Sequence, residues 1–130
     1  MKSTAKDNIT TKEDFELFKA ECGNWINHWG LLSWLFEFYH ISDKSGGNRA
    51  WLVTNDTNRL ACIHLNVHFG STPISEENIR LAAFHEVDEV RYNGIREKMN
   101  LYFAYDIVDC EIHKLITQDE NCIFPYIEFE

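Results

Sequence analysis

Apolar residues recur at Phe15, Phe18, Cys22, Trp25, Ile26 and Trp29, the three-and-four spacing of one helix face. Thr11, with Asp14 three residues later, predicts the N-cap of that helix, and Gly30 its end. From Leu31 to Ile41 the period changes: Trp34, Phe36 and Phe38 alternate with Leu35, Glu37 and Tyr39, which predicts a strand. Ser42–Asn48, with Asp43, Ser45, Gly46 and Gly47, reads as a loop. Two further strands, Ala50–Thr54 and Arg59–Val67, flank the turn Asn55–Asn58 and form a hairpin.

Pro73 and Ser75 open a second long helix, with Glu76 and Glu77 suited to its positive N-terminus. It runs to about Arg91, where Asn93-Gly94 is expected to stop it. Arg96 to about Gln118 reads as a further helix or a pair, and the tail Cys122–Glu130 as extended. The first ten residues are polar and expected to fray. This order predicts an α+β fold: a small antiparallel sheet of about three strands packed against helices, in one domain spanning 11–130.

The length, 130 residues, suits one core. The charge changes the picture more. With 12 basic and 21 acidic residues the net charge is −9, which argues against an electrostatic nucleic-acid binder and permits either a solvated acidic face or a patch for a basic protein partner. The excess is concentrated in 66–130, with 13 acidic and 5 basic residues. Cys22, Cys62, Cys110 and Cys122 are far apart and form no C-x-x-C, and the charged start does not read as a signal peptide. Free, mostly buried thiols in a reducing compartment are expected. No apolar run reaches the ~20 residues of a membrane span. Phosphate-binding glycine loops and the G-x-S-x-G elbow are absent from the sequence.

One segment carries candidate chemistry. In Ala82-Ala83-Phe84-His85-Glu86-Val87-Asp88-Glu89, His85 and Glu89 lie four apart on a helix and point the same way. That is the mechanical basis of H-E-x-x-H, in which two helix-borne ligands grip a zinc ion and the intervening Glu acts as general base. Here the second ligand is a carboxylate, giving H-E-x-x-E. On a helical wheel Ile79, Ala83, Val87 and Val90 form the core face, with Ala82, His85, Glu86 and Glu89 beside it. On the later helix Ile107, Val108, Ile112 and Leu115 read as the apolar face, and Glu111 projects from within it. A carboxylate there must be paired, protonated or metal-bound, which makes Glu111 the preferred third ligand. Asp109 and His113, a second pair four apart, stand as alternates. His28, His40, His64 and His68 read as structural or surface residues.

Across Trp25 to Phe124 the chain resembles small phage and prophage proteins of the zincin-like metallopeptidase type, distantly related to the SprT-like domain. The likeness is carried by Trp29-Gly30-Leu31 with Trp34, Arg59-Leu60-Ala61 with Ile63 and Leu65, Ala83-Phe84-His85-Glu86-Val87, and Glu111, His113, Leu115 and Ile116 followed by Glu120-Asn121. It implies a zincin-like fold, a zinc cofactor, His85 as ligand, Glu86 as catalytic base and a downstream carboxylate such as Glu111 as third ligand. Glu89 stands where the family has its second His. A second negative ligand makes zinc a weaker Lewis acid, so the expectation is a protein degenerate as a peptidase. It would act instead by protein binding through its acidic surface in the bacterial cytoplasm. A counter-defence inhibitor of a basic nucleic-acid-handling enzyme, such as a CRISPR effector nuclease, is the concrete form. The alternative is an active small zinc metallopeptidase.

Overall fold

The computed structural model describes residues 7–45 and 47–129. The expected fraying of residues 1–6, and Gly46 of the predicted loop, lie outside these. The elements are α1 (Lys12–Trp29), β1 (Leu35–Ile41), β2 (Ala50–Asn55), β3 (Leu60–Asn66), α2 (Glu76–Asn100) and α3 (Tyr105–Cys122), with a short 3-10 turn at Phe124–Tyr126. The fold is α+β, with a three-stranded sheet in the order β1-β3-β2.

The sheet is mixed where an antiparallel one was expected. β2 and β3 form the predicted antiparallel hairpin, but β1 runs parallel to β3, Phe38 facing Ile63 and Tyr39 facing His64. A local turn fixes the hairpin, whereas the placement of β1 depends on where the loop after Ile41 goes. That loop crosses the end of β3 and starts β2 on its far side, opposite Leu65. Asn66, 1 % exposed, pins the crossing. Its side-chain oxygen accepts from Asp43 N and His68 N, both at 3.0 Å, and its amide donates to Asp43 O at 2.7 Å and Asn48 O at 2.8 Å. Every hydrogen-bonding site of one buried amide is thereby used. Residues 8–10, expected to fray, are tied down as well: Asn8 and Thr10 exchange backbone hydrogen bonds with Val67, Phe69 and Gly70.

α1 begins at the predicted capping box, with Thr11 and Asp14 satisfying each other's backbone, and ends at Gly30 in the left-handed conformation, φ 67°. Phe18, Cys22 and Trp25 on its inner face are fully buried. They meet Ile63 and Leu65 of β3 and Ile79, Ala83, Phe84 and Val87 of α2 in one core. α2 does not stop at Asn93-Gly94; it continues to Asn100. Asn93 is buried and its amide donates to Asp56 in the β2–β3 turn. A mid-helix glycine costs about 1 kcal/mol, which contacts on both sides of it can offset.

α3 packs on α2 through a small separate cluster, Val108, Ile112 and Ile116 with Tyr92. The rest of that seam is polar. All four cysteines are free, as expected, but Cys110 and Cys122 are exposed rather than buried. Among the described residues no helix is long and apolar enough to cross a membrane.

Candidate metal centre

The central third of α2 presents two faces. Ala83, Val87 and Val90 enter the core, while His85 and Glu89, one turn apart, face α3. His85 Nε2 lies 3.7 Å from Glu89 Oε1. From α3, His113 Nε2 comes within 3.0 Å of the same oxygen. One ligand atom each from His85, Glu89 and His113 fall within 4.8 Å of one another, and all three residues are partly buried. Bonds of ~2.1 Å in tetrahedral geometry place ligand atoms roughly 3.4 Å apart, so small rotamer adjustments would close the group on one ion. Two imidazoles and one carboxylate form a borderline N/O donor set, which suits a first-row transition ion, zinc among them, better than calcium or magnesium.

Both imidazoles are braced from behind. His113 Nδ1 donates to the backbone carbonyl of Asp109 at 2.9 Å, which requires the proton on Nδ1. His85 Nδ1 faces Glu120 Oε2 at 3.5 Å. In each ring Nδ1 faces an oxygen, hydrogen-bonded in His113 and at ion-pair distance in His85, while Nε2 faces Glu89, the arrangement that orients metal-bound histidines. Burial opposes charge on His85, but Glu120 and Glu89 outweigh it and raise its pKa to about 10. Glu89, also disfavoured by burial, is held below the usual carboxylate range by His85, Arg96 and His113. A proton on His85 competes with a metal ion for Nε2, so metal binding at neutral pH must displace it.

Glu86 is 5 % exposed, and its Oε2 is buried with no hydrogen-bond partner among the described residues. Burial first, and the neighbouring Glu89 carboxylate second, push its pKa up to about 8. It lines two adjoining cavities. One, of about 150 Å³, includes Asn48, Arg49, His85 and Glu120. The other, of about 240 Å³, includes Trp51, Leu52, Glu89, Arg96, Tyr105 and His113. The loop crossing pinned by Asn66 therefore forms one wall of the site.

Glu111, the preferred third ligand, is not in this group. Its side chain is 60 % exposed and pairs with Lys114 at 2.9 Å. The reason is the phase of α3. The buried stripe is Val108, Ile112 and Ile116, while Ile107 and Leu115, counted with the apolar face in the sequence, are outside. Rotating the helix by that amount moves Glu111 into solvent and brings the alternate His113 against α2. Asp109, the other alternate, stands behind His113, its carboxylate 3.5 Å from Nδ1 and 3.4 Å from Arg96 Nη2.

Glu120 and Arg96 were missed as site residues. Glu120 was visible only as part of Glu120-Asn121, and nothing local in the sequence marks its contact with His85. The remaining histidines have other contacts: His40 stacks on Phe15, His64 lies between Tyr39 and Trp51, His68 pairs with Asp7, and His28 meets the edge of Trp25. No known protein family matches the chain, and no curated protein and no solved structure is significantly similar to it.

Proposed function

We propose that this protein is a small zinc-dependent hydrolase of zincin-like type acting on peptide bonds, with His85, Glu89 and His113 as ligands and Glu86 as general base. The observation that carries this reading is the pair of imidazoles whose Nε2 atoms converge on one carboxylate oxygen, His113 hydrogen-bonded at Nδ1 and His85 with Glu120 facing its Nδ1. With His113 replacing Glu111, the donor set has one carboxylate, not two. Two His and one Glu is a donor set of catalytic zinc sites, so the weakening expected from a second negative ligand does not arise from the ligands themselves.

A divalent ion held there supplies Lewis acidity for an amide carbonyl. The chain does the rest. Glu86, buried beside Glu89 with one unpartnered oxygen and lining both cavities, would in its ionised form take the proton of an attacking water and return it to the leaving nitrogen. β2 hydrogen-bonds to β3 alone within the sheet, and Ala50, Trp51 and Leu52 line the larger cavity. A strand with one unpaired edge can hold an extended peptide by backbone pairing.

The test is elemental analysis and peptide hydrolysis on the same preparation. One zinc per chain is expected, with Glu86→Gln keeping the metal and losing activity at least 100-fold. Wild-type protein that binds no divalent metal ends the proposal. Full activity in Glu86→Gln removes the base assignment.

A second reading has its own observation. Glu76, Glu77 and Glu128 outnumber Arg80 in a groove of about 490 Å³ that Phe124, Pro125 and Ile127 also line. Acidic groups beside an apolar surface suit a basic protein, of which a CRISPR effector nuclease is one instance. Such binding would weaken as salt rises and be indifferent to Glu86→Gln.

A further inference from the structure

The connection from α2 to α3 is the most apolar exposed part of the molecule. Leu101, Tyr102, Phe103, Tyr105 and Ile107, five of seven consecutive residues, are each between 56 % and 82 % exposed, and Met99 adjoins them at 37 %. With aromatic side chains of ~150–250 Å² each, this run offers roughly 600 Å² of apolar surface. That is the upper end of the ~300–600 Å² of the largest patch on a typical monomer, and each half of a standard interface contributes ~800 Å². The run thus provides most of one interface half, and a polar border would complete it.

The local charge identifies the occupant. Between Ile95 and Ile107 the charged residues are Arg96, Glu97, Lys98 and Asp106, two of each sign. The net −9 of the chain is carried elsewhere. A basic partner would gain little from charge here, and two copies of this surface can approach without local repulsion. We infer that the α2–α3 connection is a self-complementary interface through which the protein pairs with a second copy of itself about a two-fold axis. Tyr105 belongs both to this surface and to the wall of the cavity holding His113 and Arg96, so the pairing borders the mouth of the metal centre.

Sedimentation velocity on the full chain, from about 10 to 200 μM at low and high salt, tests it, because a dimer's population depends on concentration. The expected species has twice the chain mass of 15.3 kDa, and salt strengthens it by screening the charge of the two copies. Tyr102→Glu with Leu101→Glu should weaken association at least 100-fold with an unchanged far-UV circular dichroism spectrum. Should that pair disturb folding, Tyr102→Ser gives a milder loss of at least several-fold. A chain that remains monomeric throughout the range, a dimer indifferent to these variants, or one that dissociates as salt rises overturns the inference.

Discussion

His113 Nε2 and Glu89 Oε1, 3.0 Å apart, join α3 to α2 beside the small apolar cluster of Val108, Ile112, Ile116 and Tyr92. The other polar links are of the same kind. Arg96 spans Glu89 and Asp109, His85 meets Glu120, and Arg91 bonds Asp119 at 2.8 Å. The same two residues that would ligate a metal thus also help to hold a helix in place.

Removing the metal should therefore loosen α3 first. Hydrogen exchange after chelation is expected to rise over Tyr105–Cys122 while α1 and β3 keep their protection. Equal protection of α3 with and without zinc would show that the ion contributes nothing to the seam.

Glu120 should act on metal affinity through His85. Glu120→Gln retains an acceptor and Glu120→Ala does not, so zinc affinity is expected to fall ten- to hundredfold in the alanine variant and less in the glutamine variant. Glu111→Ala, on the solvent side of α3, should leave affinity unchanged, whereas His113→Ala should abolish tight binding. Competition with a chelating dye measures all four. A reversed order of Glu111 and His113 would require α3 to be rotated from the phase described.

Phe84 precedes His85 and is fully buried, 4.7 Å from the Trp25 ring centroid in an edge-on contact. Phe84→Ala should cost about 3–5 kcal/mol, read from urea unfolding followed by tryptophan fluorescence. A loss under about 1 kcal/mol would mean that α1 and α2 do not meet through this pair.

Tyr92 supplies a pH signature. Burial, with the hydrogen bond from its hydroxyl to Asp119 at 2.7 Å, pushes its pKa up to about 12, against the ordinary value of 10. The folded state thus keeps a proton that the unfolded chain releases. The associated stability is complete below pH 10 and is lost as pH rises through about 12. Tyr39, whose hydroxyl donates to Glu37, is raised as well. In a phenolate absorbance titration the latest of the five tyrosines should disappear in Tyr92→Phe, and the alkaline fall in stability should become shallower. A late step that persists in that variant would assign it to another residue.

Local signals in the sequence carried the elements they govern. The Thr11–Asp14 box, the Gly30 stop, the β2–β3 hairpin and the Ser75 cap depend on neighbours within a few residues, and each stands where the pattern put it. The parallel placement of β1 depends on Asn66, 23 residues from Asp43, and such a partnership leaves no periodic trace. The site was legible to the same depth. His85 and Glu89 share one helix, so their spacing fixes their mutual reach. The third group sits on another helix whose phase is set by which of two apolar stripes is buried. Ile107–Leu115 and Val108–Ile116 are nearly equivalent by composition, and only the packing against Tyr92 distinguishes them.

An arm fastened by charges and one small apolar cluster can let go without dissolving the body to which it is fastened. α1, the sheet and the first turns of α2 form a greasy block that takes in Ile123, Phe124, Ile127 and Phe129 beyond α3, but no hydrophobic side chain of α3 itself. Acid, a chelator or a competing cation would act on the polar part of the fastening, leaving a folded core whose acidic inner flank opens to solvent where α3 lifts.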